Sequence, residues 1–265
     1  MSSYLRKKGE KMDNDARETN SKVADYELYE KTAKDYDALR FAGRSGSWGH
    51  KRQIEILKNL VPDWNGRKVL EIGCGTGRIT QALAEWGAEI TATDISQEML
   101  KVARSRFDNA PDLRKPTFRF MSVFDIDIDM KEFDYVIMIN VLGRLSKSKE
   151  AIKEIAVRMS PDASFCFSYP SLTSIFLPFG LLVNLRNKSL FREVTSHWYL
   201  PGTIESFCFQ AGLQIVQCRG HHYVPLPGIF FFTFPFFVVW DKIISLFFPK
   251  RCASVVVVCT RKSHA

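Results

Sequence analysis

Three glycines at alternate positions dominate the stretch Val69-Leu70-Glu71-Ile72-Gly73-Cys74-Gly75-Thr76-Gly77-Arg78-Ile79-Thr80. They follow a short apolar run and precede a helical pattern, so the chain turns tightly there and can bring its backbone close to a bound molecule. The helix beyond leaves N–H groups without intrahelical partners at its start. Glu71 adds a carboxylate two residues before the first glycine. A second carboxylate, Asp94, closes the next apolar run, Thr91-Ala92-Thr93-Asp94, where an acid can accept both hydroxyls of a ribose. Capping the following helix is the other use for Asp94, but Ser96 can cap equally well and leave Asp94 to the ligand. For proton transfer the chain has five histidines. His197 sits beside Trp198 and Tyr199, and His221 and His222 follow a later strand; any of them could take a proton near neutral pH. Of these, His197 is the candidate general base, with a structural or solvent-facing role as its alternative. No cysteine pair has metal-binding spacing and no histidine completes one, so no metal is expected.

The elements that must position these groups follow an alternating rhythm. Apolar runs at 68–72, 89–93, 117–121, 134–139, 163–169, 213–218 and 253–260 are predicted as strands. Periodic segments at 50–60, 79–86, 97–107, 149–159 and 203–211 are predicted as helices, the last with Thr203 as its N-cap. A helical pattern also covers Lys22 to Leu39, and residues 40–49 read as a glycine-rich loop. Strands alternating with helices predict an α/β, doubly wound and mostly parallel sheet of seven strands with helices on both faces. Residues 1–21, polar and without an apolar stretch, read as a disordered tail ahead of a single domain at 22–265.

The glycine turn separates two cofactor classes. A dinucleotide turn, G-x-G-x-x-G, requires a third glycine where this chain has Arg78. The form here, Glu71-x-Gly73-x-Gly75-x-Gly77, instead resembles the turn of the class I (Rossmann-like) S-adenosylmethionine (SAM)-dependent methyltransferases of small-molecule type. The resemblance covers roughly residues 25–220 and the last strand, and implies that this last strand is antiparallel. It also implies a set of cofactor contacts. Glu71, Gly73, Cys74, Gly75 and Gly77 would form the turn around the methionine end, and Asp94, with Ile95 and Met99 beyond it, would hold the ribose side. The loop Ser122-Val123-Phe124-Asp125 would contact adenine. Ser122 stands where many members have an acid, which leaves Asp125 or a backbone carbonyl for the adenine amino group. Val123 and Phe124 would flank the ring or pack in the core. Asn140, after the fourth strand, would lie beside the methionine moiety, with Gly143-Arg144 in place of the histidine pair common there. The segment 22–61 would supply lid helices with Tyr36 and Arg40 facing the cofactor; a solvated amphipathic helix is the alternative.

Composition bears on the acceptor. Of the 21 phenylalanines, fifteen lie in residues 160–265, where only 13 of 106 positions are charged. Two stretches, 163–185 and 220–240, carry no Asp, Glu, Lys or Arg. They fall in apolar insertions at 171–200 and 221–248, which predict a small-molecule or lipid acceptor. A transmembrane helix at 229–240 is too short, and Pro235 interrupts it. Contact of 229–240 with a membrane surface is the expectation, with Trp240, Lys242, Lys250 and Arg251 at the lipid; a buried helix or a dimer contact is the alternative. The net charge of +8 admits nucleic acid as a partner. However, adenine-flipping enzymes resemble [DN]-P-P-[YF] where this chain has Asn140-Val141-Leu142-Gly143, and the Pro-Cys of cytosine enzymes is absent. Nucleic acid is therefore not the expected substrate. A non-catalytic, membrane-associated SAM-binding protein is the third reading, opposed by the intact glycines and Asp94. The cysteine pattern and the lack of a signal segment place the chain in the cytoplasm, peripheral to a membrane. Nothing in the sequence sets an oligomeric state.

Overall fold

In a computed structural model the described residues are 27, 29–41, 44–61, 63–174, 197–221 and 234–261. The expected tail at 1–21, residues 175–196 of the first apolar insertion and 222–233 of the second, His222 among them, lie outside them. Helices α1 (Tyr36–Phe41) and α2 (Arg44–Leu60) come first. Strand β1 (Lys68–Ile72) then leads through the glycines into α3 (Arg78–Glu85). Next come β2 (Glu89–Asp94), α4 (Gln97–Asp108), β3 (Thr117–Phe120), β4 (Tyr135–Met138), α5 (Ser148–Arg158) and β5 (Ser164–Pro170). The order closes with α6 (Pro201–Gln210), β6 (Leu213–His221), α7 (Phe234–Phe247) and β7 (Ser254–Arg261).

The seven strands form one sheet in the order β3-β2-β1-β4-β5-β7-β6. β7 runs antiparallel to both β5 and β6, and the pairings among β1 to β5 are parallel. This is the mixed, doubly wound sheet with an antiparallel last strand that the sequence predicts. The two-residue period of a strand divides its side chains between two cores. On one face Val136, Met138, Phe165, Phe167, Val255 and Val257 pack with Ile152 and Ile155 of α5 and Ile204 of α6. On the other, Ile137, Cys166, Val256 and Val258 pack with Leu57 of α2, Leu83 of α3 and Leu100 of α4. Strands covered on both faces need apolar residues at nearly every position, which explains runs such as Val255 to Cys259.

Three local expectations are corrected. Residues 44–49 belong to α2 and not to a loop. A side chain at Gly46 would run into the Arg40 carbonyl, so this glycine serves close packing between α1 and α2. The N-terminal segment is not one continuous helix: Asp35 N–H donates to the Thr32 carbonyl at 3.0 Å, making a turn at 33–35 around buried Ala33. Leu200, and not Thr203, is the N-cap of α6, because Pro201 takes the first helical position, where its missing N–H costs nothing. Pro235 is the second residue of α7 as described, and residues 222–233 ahead of it lie outside the described residues.

Candidate functional site

The strand order reverses between β1 and β4. In such sheets ligands bind in the crevice outside the carboxyl ends of the strands at this point. Gly73 follows β1 there and Asn140 follows β4.

The backbone of the turn is tied to β2: the N–H groups of Gly73 and Cys74 both donate to the Thr93 carbonyl, at 2.7 and 2.9 Å. Gly73, Gly75 and Gly77 all have positive φ. A methyl group on Gly73 would overlap Val141, whereas one on Gly75 would meet nothing within 4 Å. Gly73 is therefore glycine for packing, and Gly75 presents open space for a ligand. Cys74 is buried, and burial pushes its thiol pKa well up, so it stays protonated.

Two acids flank this turn. Glu71 is 3% exposed and accepts a hydrogen bond from Thr80 Oγ1 at 2.6 Å. Burial pushes its pKa up to about 7, with the nearby Asp94 adding to the rise. Asp94 Oδ2 accepts from Gly75 N–H at 2.7 Å and Oδ1 from Ser96 N–H at 2.9 Å. Burial raises its pKa as well. Ser96 Oγ caps α4 by accepting from Met99 N–H at 3.1 Å, as the sequence suggests. This does not leave Asp94 unengaged, because its carboxylate holds the glycine turn against the start of α4. Glu71, buried beside the turn, opposes a pyrophosphate there and suits a ligand that carries positive charge, while the half-buried Asp94 suits a ribose. The donors and acceptors present thus fit SAM, whose sulfonium and ammonium are cationic, and do not fit a dinucleotide.

Met121 N–H donates to the Asp94 carbonyl at 3.1 Å, which brings the loop after β3 beside the end of β2. Ile95 and Phe124 are both exposed there, two apolar side chains available to a flat ring. Val123 and Met99 are buried in the core instead. Ser122 Oγ accepts from Phe124 N–H at 3.2 Å and shapes the loop.

Asn140 has φ of 62°, the one positive value outside glycine among the described residues. Its N–H donates to Ser168 Oγ at 2.8 Å. Its side-chain amide pairs reciprocally with Gln53 of α2, at 3.0 and 3.2 Å. Strained non-glycine backbone held by several neighbours is common at active sites. His197 is exposed, and its N–H donates to the Gly143 carbonyl at 2.7 Å, which sets it beside the turn after β4. His221 is fully buried on β6, the edge strand farthest from the crevice along β5 and β7.

Tyr36 and Arg40 bond to each other, Arg40 Nη1 donating to the tyrosine hydroxyl at 3.1 Å. Between them in the chain, Asp37 is a hub that sequence reasoning missed. It accepts from Thr76 Oγ1 at 2.8 Å, pairs with Arg78 at 3.6 Å and bonds to Arg106. Arg78 also lies over the Phe41 ring, 3.6 Å from its centroid. Together these contacts clamp α1 onto the glycine turn. His50 packs against Phe41, and its pKa falls to about 4, chiefly through burial and then through Arg78. It is neutral at physiological pH. Gln53 was findable, since it shares a helical face with Ile56, Leu57 and Leu60 and so had to be a buried polar residue with a partner. Asp37 carried no such signal. No group of metal-binding side chains occurs among the described residues.

Residues 69–162 match the sequence profile of a family described as a methyltransferase domain. The chain is 25% identical over 182 residues to the ubiquinone biosynthesis O-methyltransferase of Bordetella avium, covering 67% of this chain and 75% of that protein. The protein of the same name from Actinobacillus pleuropneumoniae is also 25% identical, over 208 residues, covering 71% of this chain and 88% of that protein. Among solved structures, magnesium protoporphyrin IX methyltransferase from Synechocystis with bound SAM superposes with a TM-score of 0.64 at 15% identity, over 91% of this chain and 97% of that one. The [4+2]-cyclase SpnF superposes with a TM-score of 0.55 at 15% identity, over 79% and 80% of the two chains. At such identities the structural likeness establishes the fold, while the turn and its acids must establish the chemistry.

Proposed function

We propose that this chain is a class I SAM-dependent methyltransferase and that it methylates an oxygen on a small, lipophilic acceptor. SAM is the methyl donor; when bound, it supplies a methyl group made electrophilic by its sulfonium. The observation that carries the reading is the pair of acids, Glu71 buried and Asp94 half-buried, around a glycine turn with open space at Gly75.

The chain's own residues then do the work of holding and orienting. The turn residues Gly73, Cys74, Gly75 and Gly77, with Glu71, surround the cationic end. Asp94 accepts ribose hydroxyls, and Ile95 and Phe124 bracket the adenine above the Ser122 turn. Val123 and Met99 support this wall from the core. Tyr36 and Arg40 close the site from α1, held by the Asp37 clamp. Asn140, fixed by Gln53 and Ser168, marks the place where the acceptor oxygen must meet the methyl group, since proximity and alignment provide most of the catalysis for such a transfer. An acceptor hydroxyl must also lose its proton, and His197, exposed beside the turn after β4, is the group proposed to take it.

The acceptor class rests on two supports. The two named relatives above are O-methyltransferases of ubiquinone biosynthesis, and the uncharged stretches 163–185 and 220–240 lie in the part of the chain that follows β4. No helix among the described residues is long and apolar enough to cross a membrane. We infer a cytoplasmic protein peripheral to a membrane, with residues 22–265 acting as a single domain and a tail before it. Six free cysteines suit a reducing compartment. Two measurements test the proposal together: titration calorimetry with SAM, and transfer of labelled methyl from SAM to phenolic compounds in a lipid extract. Micromolar binding with label appearing in a lipophilic ether is the expected result. Absence of SAM binding by the intact protein refutes it.

A further inference from the structure

Helix α7 is polarised the wrong way for a helix in water. Its buried positions include Asp241, which is 0% exposed, and Ser245. Arg52 of α2 holds both: its Nη2 donates to Ser245 Oγ at 3.2 Å, and its Nε lies 3.7 Å from Asp241 Oδ2. The outward positions are Val239, Trp240, Ile243, Leu246 and Phe247, followed by Phe248, and all are exposed, Leu246 at 69% and Phe247 at 68%. Positions 239, 243, 246 and 247 have the spacing of one helical stripe. A surface helix ordinarily turns such a stripe to the core. Here a charged contact takes the inner side and leaves the apolar stripe outward, where contiguous exposed apolar surface marks an interaction site.

We propose that this outward face of α7 docks on an anionic bilayer, with the helix lying in the headgroup layer. The proposal rests on the membrane-peripheral reading above and replaces residues 229–240 with 239–248 as its contact. Fourteen residues span about 21 Å, short of the ~30 Å hydrocarbon thickness, so the helix lies along the surface and does not cross it. Trp240 suits the interface, where its ring is amphipathic. Charge selects the lipid. From Gly220 to Ala265 the sole acid is Asp241, and it is buried toward Arg52. Lys242 is exposed within the face, and exposed Arg251 follows in the turn after the helix, beside Lys250, whose ammonium pairs with Glu205. A second copy of this chain is a poorer occupant, because the same face of the copy presents no exposed acid to pair with Lys242; lipid phosphates pair with it instead. The same helix α2 that holds α7 through Arg52 reaches Asn140 through the next residue, Gln53. The bilayer face is thus one helix away from the site of transfer, as a lipophilic acceptor requires.

The test is co-sedimentation of the full chain with vesicles of phosphatidylcholine, with and without phosphatidylglycerol. The wild type should sediment with the anionic vesicles. Leu246→Glu/Phe247→Glu, changed at exposed positions, should lose at least about tenfold in partitioning, and Lys242→Glu should weaken binding to anionic vesicles alone. Calorimetry with SAM in the same samples should give equal affinities, which shows that the variants are folded and keeps this question separate from the methyl-transfer reading. Equal sedimentation of wild type and double variant overturns the proposal. So does light scattering that shows a wild-type dimer broken by the double variant with no vesicle binding by either.

Discussion

Glu71 offers a perturbation whose sign and size follow from its surroundings. Its pKa rises from 4.5 to about 7, mainly because burial disfavours the charged form. Between those two values the native state binds a proton that the unfolded chain has released. Stability therefore falls as pH climbs through this window, and the loss is complete somewhat above pH 7. At 1.36 kcal/mol for each pKa unit, the ionised carboxylate costs the cofactor-free protein about 3 kcal/mol at pH 8. Glutamine keeps the shape and an acceptor oxygen for the Thr80 hydroxyl, 2.6 Å away, but cannot ionise. Glu71→Gln should then be more stable than wild type at pH 8 by up to about 3 kcal/mol, with the difference vanishing below about pH 4.5. Urea unfolding of both proteins across that pH range measures it directly. The same variant should bind SAM more weakly, because the negative charge that strains the empty site is what a cationic ligand uses. A variant no more stable than wild type at pH 8, or one with a constant offset at every pH, would show that the carboxylate is not held against its burial and would refute the reasoning.

Three further outcomes are expected. Gly73→Ala combines a positive φ with overlap on Val141; thermal melts should show a loss of about 2 kcal/mol or more, and calorimetry no SAM binding. Asp37→Ala releases α1 from Thr76, Arg78 and Arg106. Because those partners are partly exposed, stability should change by less than about 1 kcal/mol, while SAM affinity drops about tenfold and proteolysis near residues 30–43 accelerates. Gln53→Leu removes the two amide bonds to Asn140, and urea unfolding should register a cost of about 1 kcal/mol.

The parts of the site that could be read from sequence are those built from neighbours in the chain. An apolar run, a glycine turn and a helix start are local, so the turn from Val69 to Thr80 and the cap at Ser96 stand where the residues place them. The sheet was legible for a similar reason: its strands are buried on both faces and stay apolar throughout. What was not legible depends on partners far apart in the chain. Gly46 and Gly49 look like a loop until the Arg40 carbonyl is seen to press against Gly46. Asp37 looks like one more surface acid on a charged helix until Arg78 and Arg106 arrive around it. In α7 the apolar character was visible, but its outward direction was not. That direction is set by Arg52, a residue of another helix, which no periodicity within 234–247 can report.

The position of β7 has a consequence for how the chain is made. β6 is an edge strand whose ladder partner is β7, and β7 also completes β5. The strand that joins them is the last of the seven to leave the ribosome. Forty residues separate His221 from Arg261, so at ordinary rates of synthesis β6 waits unpaired for about 2–8 seconds, and β5, which ends at Pro170, waits longer still. Unpaired strand edges invite the wrong partner. During that interval the nascent protein is already able to form its glycine turn and β1–β4 crevice, yet it lacks the sheet that backs them. Cofactor captured early, or a chaperone occupying the β5 edge, would decide how many chains reach the finished fold.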